Sequence, residues 1–332
     1  MKRRAFITLV AGAAFAPPVL ASTFVRAQQA GKIYRVGLLG GATAIGPADE
    51  RRRTFVDGLA ARGFVEGRNL MLEQRWADAR AERLAGMAAE LKRANVDVIV
   101  TFGYPAALAA KMSAADIPIV VTGAGDPVAT GLVEGLARLG GNLTGVTEIS
   151  TELSAKRLEI LKDALPNLGR VAMLWNAADL GMTLRFHAAE GAAQVLGIKV
   201  QALGVREPED FEDAFAAMTR DRPDAILMVS DALTNLNRKR VVEFAMTHRL
   251  PTIFENSVLV RDGGLMSYGP KQSALGDRAA ELVARILLGS RPADLPLELP
   301  MRFEFFINLK TAKSLGLVLP PTLLARADEV IE

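Results

Sequence analysis

The chain has 332 residues, 50% of them hydrophobic and 23% charged, which suits one large or two medium globular domains. Its formal net charge of +3 depends on four basic residues within residues 1–27; beyond them 36 basic residues face 37 acidic ones, and nothing in that balance argues for nucleic acid. Cysteine is absent and histidine occurs only at His187 and His248, which excludes a disulfide framework, a thiolate nucleophile and a lipid-modified cysteine, and argues against a metal site built on histidine.

Residues 1–27, MKRRAFITLVAGAAFAPPVLASTFVRA, open on basic residues, continue through an apolar stretch from Ala5 to Ala16 and end on Val25-Arg26-Ala27, a small-residue cleavage pattern. They read as a signal peptide, with the mature chain starting at Gln28; Val19-Leu20-Ala21 is a second candidate cleavage site. Arg3-Arg4-Ala5-Phe6-Ile7 resembles the twin-arginine pattern, with a general secretory signal as the alternative. The apolar stretch is well short of the ~20 residues a membrane span needs, and Pro17-Pro18 interrupts it. The expected product is a soluble protein exported to the periplasm.

After the leader the pattern alternates strand and helix. A strand over 33–39 ends in Gly40-Gly41, and a helix follows with Phe55, Val56 and Leu59 on one face. Strands are expected at 70–76, 98–102, 117–122 and 143–147, with helices through Leu84, Met87, Ala88 and Leu91, from Pro105 onward, and through Leu132, Leu136 and Leu139. The alternation then restarts with a helix through Leu158, Leu161 and Leu165. Strands at 171–175, 198–203, 225–229, 251–254, 265–268 and 303–307 follow, the last after an extended connection punctuated by Pro292, Pro296 and Pro300. Two such runs predict an α/β chain of two doubly wound, Rossmann-like lobes with parallel sheets. The expected boundaries are 28–148 with 270–296 for the first lobe, and 149–269 with 297–332 for the second.

The central stretch is VDVIVTFGYPAALAAK at 96–111, an apolar strand that stops at a small-residue loop and feeds a helix with Pro105 in its first turn. Free N–H groups at such a helix start favour an anion, although every doubly wound sheet contains ordinary turns of this kind. The chain lacks the G-x-G-x-x-G and G-x-x-x-x-G-K-[ST] phosphate loops and the G-x-S-x-G nucleophile elbow. His187 and His248 read as surface or helix-end residues, and no acid–base pair stands out, so neither an enzyme nor a cofactor or metal is expected. Asp126 and Asp231 follow strands and read either as helix N-caps or as counter-charges for a ligand cation. Tyr104, Trp175, Phe254 and Tyr268 are aromatics at strand ends, positions that serve as core or as walls of a cleft.

Several stretches together resemble one family: FVDGLAARGFVEGRN at 55–69, PAALAAK at 105–111, GDPVATGLVEGLARLGGNLTG at 125–145, GGLMSYGP at 263–270, INLKTAKSLGL at 307–317 and LLARADEVI at 323–331. The chain is similar to ABC-transporter substrate-binding proteins related to tryptophan-binding lipoproteins, with a type I periplasmic-binding fold. The resemblance implies two lobes joined by a three-stranded hinge, a ligand gripped between them, and delivery to a membrane permease with its ATPase. It also puts a carboxylate-binding corner on 102–107 and facing contacts on Asp126, Asp231 and Tyr268. The chain departs from the family in carrying Tyr104 where a small hydroxyl residue is common, and in lacking the lipid-anchor cysteine.

The resulting expectation is a monomeric solute-binding protein for a small carboxylate, an amino acid or aromatic acid. The anionic group is placed at Gly103–Ala107 with Phe102, Gly103, Tyr104, Pro105 and Ala106 around it. Gly41, Trp175, Asn176, Ser230, Phe254 and Tyr268 are the further lining, and Asp126 or Asp231 meets an ammonium. An exported ligand sensor that presents its ligand to a membrane receptor is the alternative. Hinge crossings are expected near 147–150, 268–270 and 295–301.

Overall fold

The computed structural model describes residues 31–44, 46, 49–135, 141–147 and 150–332, so the leader read at 1–27 lies outside the described residues. The first run comprises β1 (Tyr34–Gly40), α1 (Glu50–Ala61), β2 (Leu70–Trp76), α2 (Leu84–Arg93), β3 (Val98–Phe102), α3 (Tyr104–Ser113), β4 (Ile119–Thr122) and β5 (Leu143–Val146). The helix expected through Leu132, Leu136 and Leu139 falls mostly on residues 136–140, outside the described ones, and Leu132 itself lies in no helix. The second run comprises α4 (Ser150–Ala164), β6 (Arg170–Asn176), α5 (Leu180–Val195), β7 (Lys199–Val205), α6 (Asp210–Arg220) and β8 (Ala225–Met228). It continues with α7 (Ala232–Leu236), α8 (Arg238–Thr247), β9 (Thr252–Phe254), α9 (Ser257–Arg261) and β10 (Met266–Pro270). The chain closes with α10 (Gln272–Leu287), β11 (Leu297–Glu298), β12 (Phe303–Asn308), α11 (Leu309–Leu315), α12 (Pro321–Leu324) and β13 (Glu329–Ile331).

The strands form two sheets, ordered β11-β5-β4-β3-β1-β2 and β13-β12-β10-β9-β8-β6-β7. The first is parallel throughout; the second departs from the expected parallel pairing once, where β10 runs antiparallel to β12. Each sheet is covered on both faces, as near-continuous apolar strands require. In β3 and β4, Val98, Val100 and Val120 face the cluster of α1 and α10, whereas Ile99, Ile119 and Val121 face that of α2 and α3. In β6, Val171, Met173 and Trp175 face one cluster while Ala172 and Leu174 face the other. Because these strands run parallel, their carboxyl ends collect on one edge of each sheet.

The chain passes between the sheets three times: after Val146, at Pro270–Gln272 and between Glu298 and Phe303. The expected boundary placed residue 297 in the second lobe. Leu297 and Glu298 instead pair with Gly145 and Val146 of the first sheet, so the third crossing comes after them. The crossings are tied side by side: Thr147 N–H donates to the Glu298 carbonyl at 2.9 Å and Lys271 N–H to that of Arg302 at 2.9 Å. Behind them Arg157 of α4, fully buried, donates from Nε to the Tyr268 carbonyl at 2.7 Å and from Nη1 to Glu255 at 2.9 Å.

Gly145 sits where β5 meets β4 and at the first crossing, with φ +149°, and a Cβ there would lie 2.1 Å from the Val121 carbonyl oxygen. Backbone cannot yield as a flexible side chain can, so Gly145→Ala is expected to cost at least about 2 kcal/mol and to lower the melting temperature clearly. Thermal unfolding of the variant checks this; a melting temperature equal to that of the unmodified chain would contradict it.

Candidate ligand site in the cleft

The carboxyl edges of the two sheets face a cavity of about 240 Å³. The first lobe supplies Gly41 after β1, Phe102 and Gly103 after β3, Thr122 and Gly123 after β4, and Pro105 and Ala106 of α3. Phe55 of α1, Leu84 of α2 and Leu275 of α10 add apolar wall. The second lobe supplies Asn176, Asp179 and Met182 from the β6–α5 turn, and Ser230, Asp231 and Leu233 from the β8–α7 turn. The lobes also touch: a Cβ on Gly41 would lie 3.1 Å from that of Ala232, and one on Gly181 would lie 3.4 Å from that of Tyr104.

The strand-to-helix turn at the centre follows directly from its sequence. Gly103 is the N-cap of α3 at φ 86°, a conformation that suits glycine, and it offers no side chain to cap the first turn. Pro105 sits in that turn without an N–H to satisfy. The positive end of a ten-residue helix therefore opens on the cavity.

On the second lobe stand two carboxylates that line the same cavity, Asp179 buried and Asp231 half-buried. Asp179 is the N-cap of α5, its Oδ1 accepting from Gly181 N–H at 2.8 Å and Met182 N–H at 3.3 Å. Asp231 is the N-cap of α7 in a reciprocal capping box, its Oδ1 accepting from Thr234 N–H at 2.8 Å and from Thr234 Oγ1 at 2.9 Å. Its Oδ2 accepts from Asn176 Nδ2 at 2.5 Å. Both readings of Asp231 are compatible: one oxygen caps the helix and the residue lines the cavity. Among the described residues neither aspartate has an ion-pair partner. Burial, and then the charge of Asp231, push Asp179 up to about 6. Burial also raises Asp231, against hydrogen bonds from Thr234 and Asn176 and the charge of Arg185. The Tyr104 phenol is raised by burial and by the nearby Asp179.

Of the residues expected from sequence, Gly41, Phe102, Gly103, Pro105, Ala106, Asn176, Ser230 and Asp231 come together around the cavity. Tyr104, Asp126, Trp175, Phe254 and Tyr268 do not line it. Tyr104 is packed into the cluster between α2 and α3. The Asp126 Oδ1 accepts from the N–H groups of Val128 and Ala129, each at 3.0 Å, as a turn cap does. Trp175 stacks on Phe186 with centroids 3.7 Å apart, Phe254 is fully buried, and Tyr268 packs beside Phe303 and Phe305. Asp179 was not anticipated, although it is an acid placed between a strand end and a helix just as Asp231 is. Met182 and Leu275 carried no signal beyond helical periodicity.

A second cavity of about 300 Å³ adjoins the first, sharing Arg51, Gly123, Ser230, Asn235 and Gln272 with it. It is lined more by charge, with Arg185 and Glu255 joined at 2.8 Å. Ser230 Oγ, at the junction, is buried and without a hydrogen-bond partner among the described residues.

Two α/β lobes linked by three paired crossings, with a cavity between their carboxyl edges, define the type I periplasmic-binding fold. The chain belongs to the family described as ABC transporter substrate binding protein, whose profile matches residues 46–331. It is 25% identical over 270 residues to a tyrosine-binding protein of Clostridioides difficile (strain R20291), spanning 81% of this chain and 77% of that one. In structure it is similar to an ABC domain from Streptococcus pneumonia in complex with L-Trp, at TM-score 0.83, 24% identity and coverage of 90% of this chain and 100% of that one. A ligand-free, open substrate binding protein with adhesive properties from Clostridium difficile matches at TM-score 0.64, 25% identity and coverage of 90% and 99%. Among the described residues no helix is long and apolar enough to cross a membrane.

The raised affinity of Asp179 for its proton has a stability consequence. Moving its midpoint from 3.8 to about 6 means that folding with this group ionised costs on the order of 2–3 kcal/mol. The cost is absent where the group is protonated in both states, below the ordinary value, and is fully present above the raised one. Asp179→Asn keeps an Oδ1 acceptor for the α5 cap, so it is expected to raise the melting temperature of the ligand-free protein at neutral pH and to leave it nearly unchanged near pH 4. Melting curves at the two pH values check this; an equal shift at both would refute it.

Proposed function

We propose that this chain is the exported solute-binding component of an ABC importer and that it holds an α-amino acid with a bulky apolar side chain in the cleft. The observation that carries the reading is the polar layout of the cavity. An uncapped helix N-terminus on the first lobe shares the cavity with two aspartates of the second that have no ion-pair partner among the described residues, one buried and one half-buried. An anion is stabilised at the helix start by roughly 0.3–2 kcal/mol, and a cation neutralises the carboxylates. A zwitterion with both groups on one carbon supplies each in one molecule. Phe55, Leu84, Phe102, Met182 and Leu275 then receive its apolar body, in place of the aromatics expected from sequence. The tyrosine-binding relative and the L-Trp complex support an aromatic amino acid as the first candidate. Family membership supports a binder rather than an enzyme, and a permease with its ATPase as the partner that receives the ligand. Export to the periplasm, as a monomer cleaved before Gln28, completes the reading.

The test is calorimetry with L-tryptophan, L-tyrosine and their analogues lacking either the amino or the carboxyl group. Both amino acids are expected to bind, and each analogue more weakly. Asp231→Asn is expected to weaken amino-acid binding at least tenfold, about 1.4 kcal/mol, with less effect on the deaminated analogue. A protein that binds a neutral sugar and ignores every amino acid would sink the reading.

Closure belongs to the same proposal. The paired crossings provide a hinge, and the inter-lobe contacts at Gly41 and Gly181 support reading the described conformation as a closed one. The better superposition on the L-Trp complex than on the open, ligand-free relative supports the same view. Small-angle scattering is expected to show a smaller radius of gyration for protein saturated with its amino acid than for ligand-free protein. No change at saturation would count against a hinge.

A further inference from the structure

We propose that on the acid side of neutrality the ligand-free protein carries a proton on its Asp179–Asp231 carboxylate pair and that the ammonium of a bound amino acid displaces this proton to solvent. The inference rests on the amino-acid reading of the site and adds a regulation to it, since affinity then depends on pH.

The geometry supplies the argument. Both carboxylates line one cavity between the lobes, Asp179 buried and Asp231 half-buried. The hydrogen bonds to Asp179 that the structure shows all reach Oδ1, from the first turn of α5. Those to Asp231 come from Thr234 and Asn176, which are neutral. The charged and titratable groups around the pair are few. From α5, Arg185 directs Nη1 to Glu255 at 2.8 Å, and its charge favours the ionised form of both aspartates, an effect that burial outweighs. From α1, Arg51 binds Asp49 at 2.9 Å. From α3, the Tyr104 phenol is neutral in this range. The residues of α2 and α10 that line the cavity, such as Leu84 and Gln272, carry no charge. Two like charges in one poorly solvated cavity, neither with an ion pair among the described residues, disfavour double ionisation. The midpoint of Asp179, pushed up to about 6, is in keeping with this.

The exchange balances simply. A protonated carboxyl and a ligand ammonium become an ionised carboxylate hydrogen-bonded to that ammonium, plus one proton in solvent. No covalent bond other than that O–H is broken. The affinity for an ammonium ligand therefore weakens as pH falls through the midpoint, approaching about tenfold per pH unit for one proton, and levels off above it.

The experiment is isothermal calorimetry on the mature protein with L-tryptophan and L-tyrosine, from about pH 5 to 8, in buffers that differ in ionisation enthalpy. Proton release is expected near the low end, fading towards zero at the high end, together with the loss of affinity on acidification. Indole-3-propionate, which lacks the ammonium, is expected to bind without releasing a proton. Asp179→Asn is expected to flatten the pH profile for both amino acids, with its melting curve showing that it folds. The buffer dependence of the unmodified protein is a sufficient test should the variant fail to fold. Tryptophan binding with a buffer-independent enthalpy and a flat profile would overturn the proposal while leaving the amino-acid reading intact. Failure of every amino acid at every pH, with another ligand bound, would overturn that reading itself.

Discussion

Parallel pairing is the constraint on which the rest of this structure depends. A parallel strand must be followed by a crossover, so each sheet collects its strand ends, and the loops that follow them, on one edge. Two such sheets joined by three paired crossings turn those edges towards one another. The residues that line the cavity then arrive from places far apart in the chain: Gly41, Gly103, Asn176 and Asp231 share it because each lies at or just past the carboxyl end of a strand. The break in the rule, antiparallel β10 against β12, falls where the chain must return through the hinge.

Buried charge is treated in two ways within a short distance. Glu255 is neutralised on both oxygens, by Arg157 at 2.9 Å and Arg185 at 2.8 Å, and Arg157 also holds the Tyr268 carbonyl. That triad links α4, α5, β9 and β10 beside the crossings. A buried group with such partners is costly to disrupt and has little left to offer a ligand. Asp179 and Asp231 have hydrogen bonds enough to hold their orientation, yet the folded chain leaves their charge unneutralised among its described residues. The first arrangement serves rigidity, and the second is what the proposed recognition of an ammonium would use.

Much of the fold was legible, because continuous apolar runs such as Val98–Val100, closed by small-residue loops, have few other readings. The corner at Gly103 and Pro105 was legible for the same reason, since glycine and proline punctuate a strand-to-helix turn in only a few ways. The aromatics were not, although the alternation contained the answer for one of them. Trp175 shares its face of β6 with Val171 and Met173, so it belongs to the core against Phe186. Asp179 stands behind Ala177 and Ala178 past the end of β6 just as Asp231 stands behind Val229 and Ser230 past the end of β8, so the same signal was present at both positions. Strands as short as β11 and β13 leave too few residues for any period to show. That α10 walls the cavity depends on a return crossing, and no local pattern encodes such a return.

The layout also bears on why a neutral ligand suits this cavity poorly. A polyol buries hydroxyls on every side, and each one left without a partner costs on the order of 1–3 kcal/mol. Phe55, Leu84, Phe102, Met182 and Leu275 offer side chains without hydrogen-bonding groups, so much of the lining suits an apolar body. A neutral molecule would leave Asp179 and Asp231 as costly as before. The two polar features also belong to different lobes, the helix start to the first and the aspartates to the second. A ligand bearing only an anion or only a cation engages one lobe electrostatically and gives the other no reason to close. A ligand bearing both gains its full interaction only when the lobes meet, and this differential affinity is what shifts a hinge equilibrium. Selection for a zwitterion and closure of the cleft are on this view one physical event.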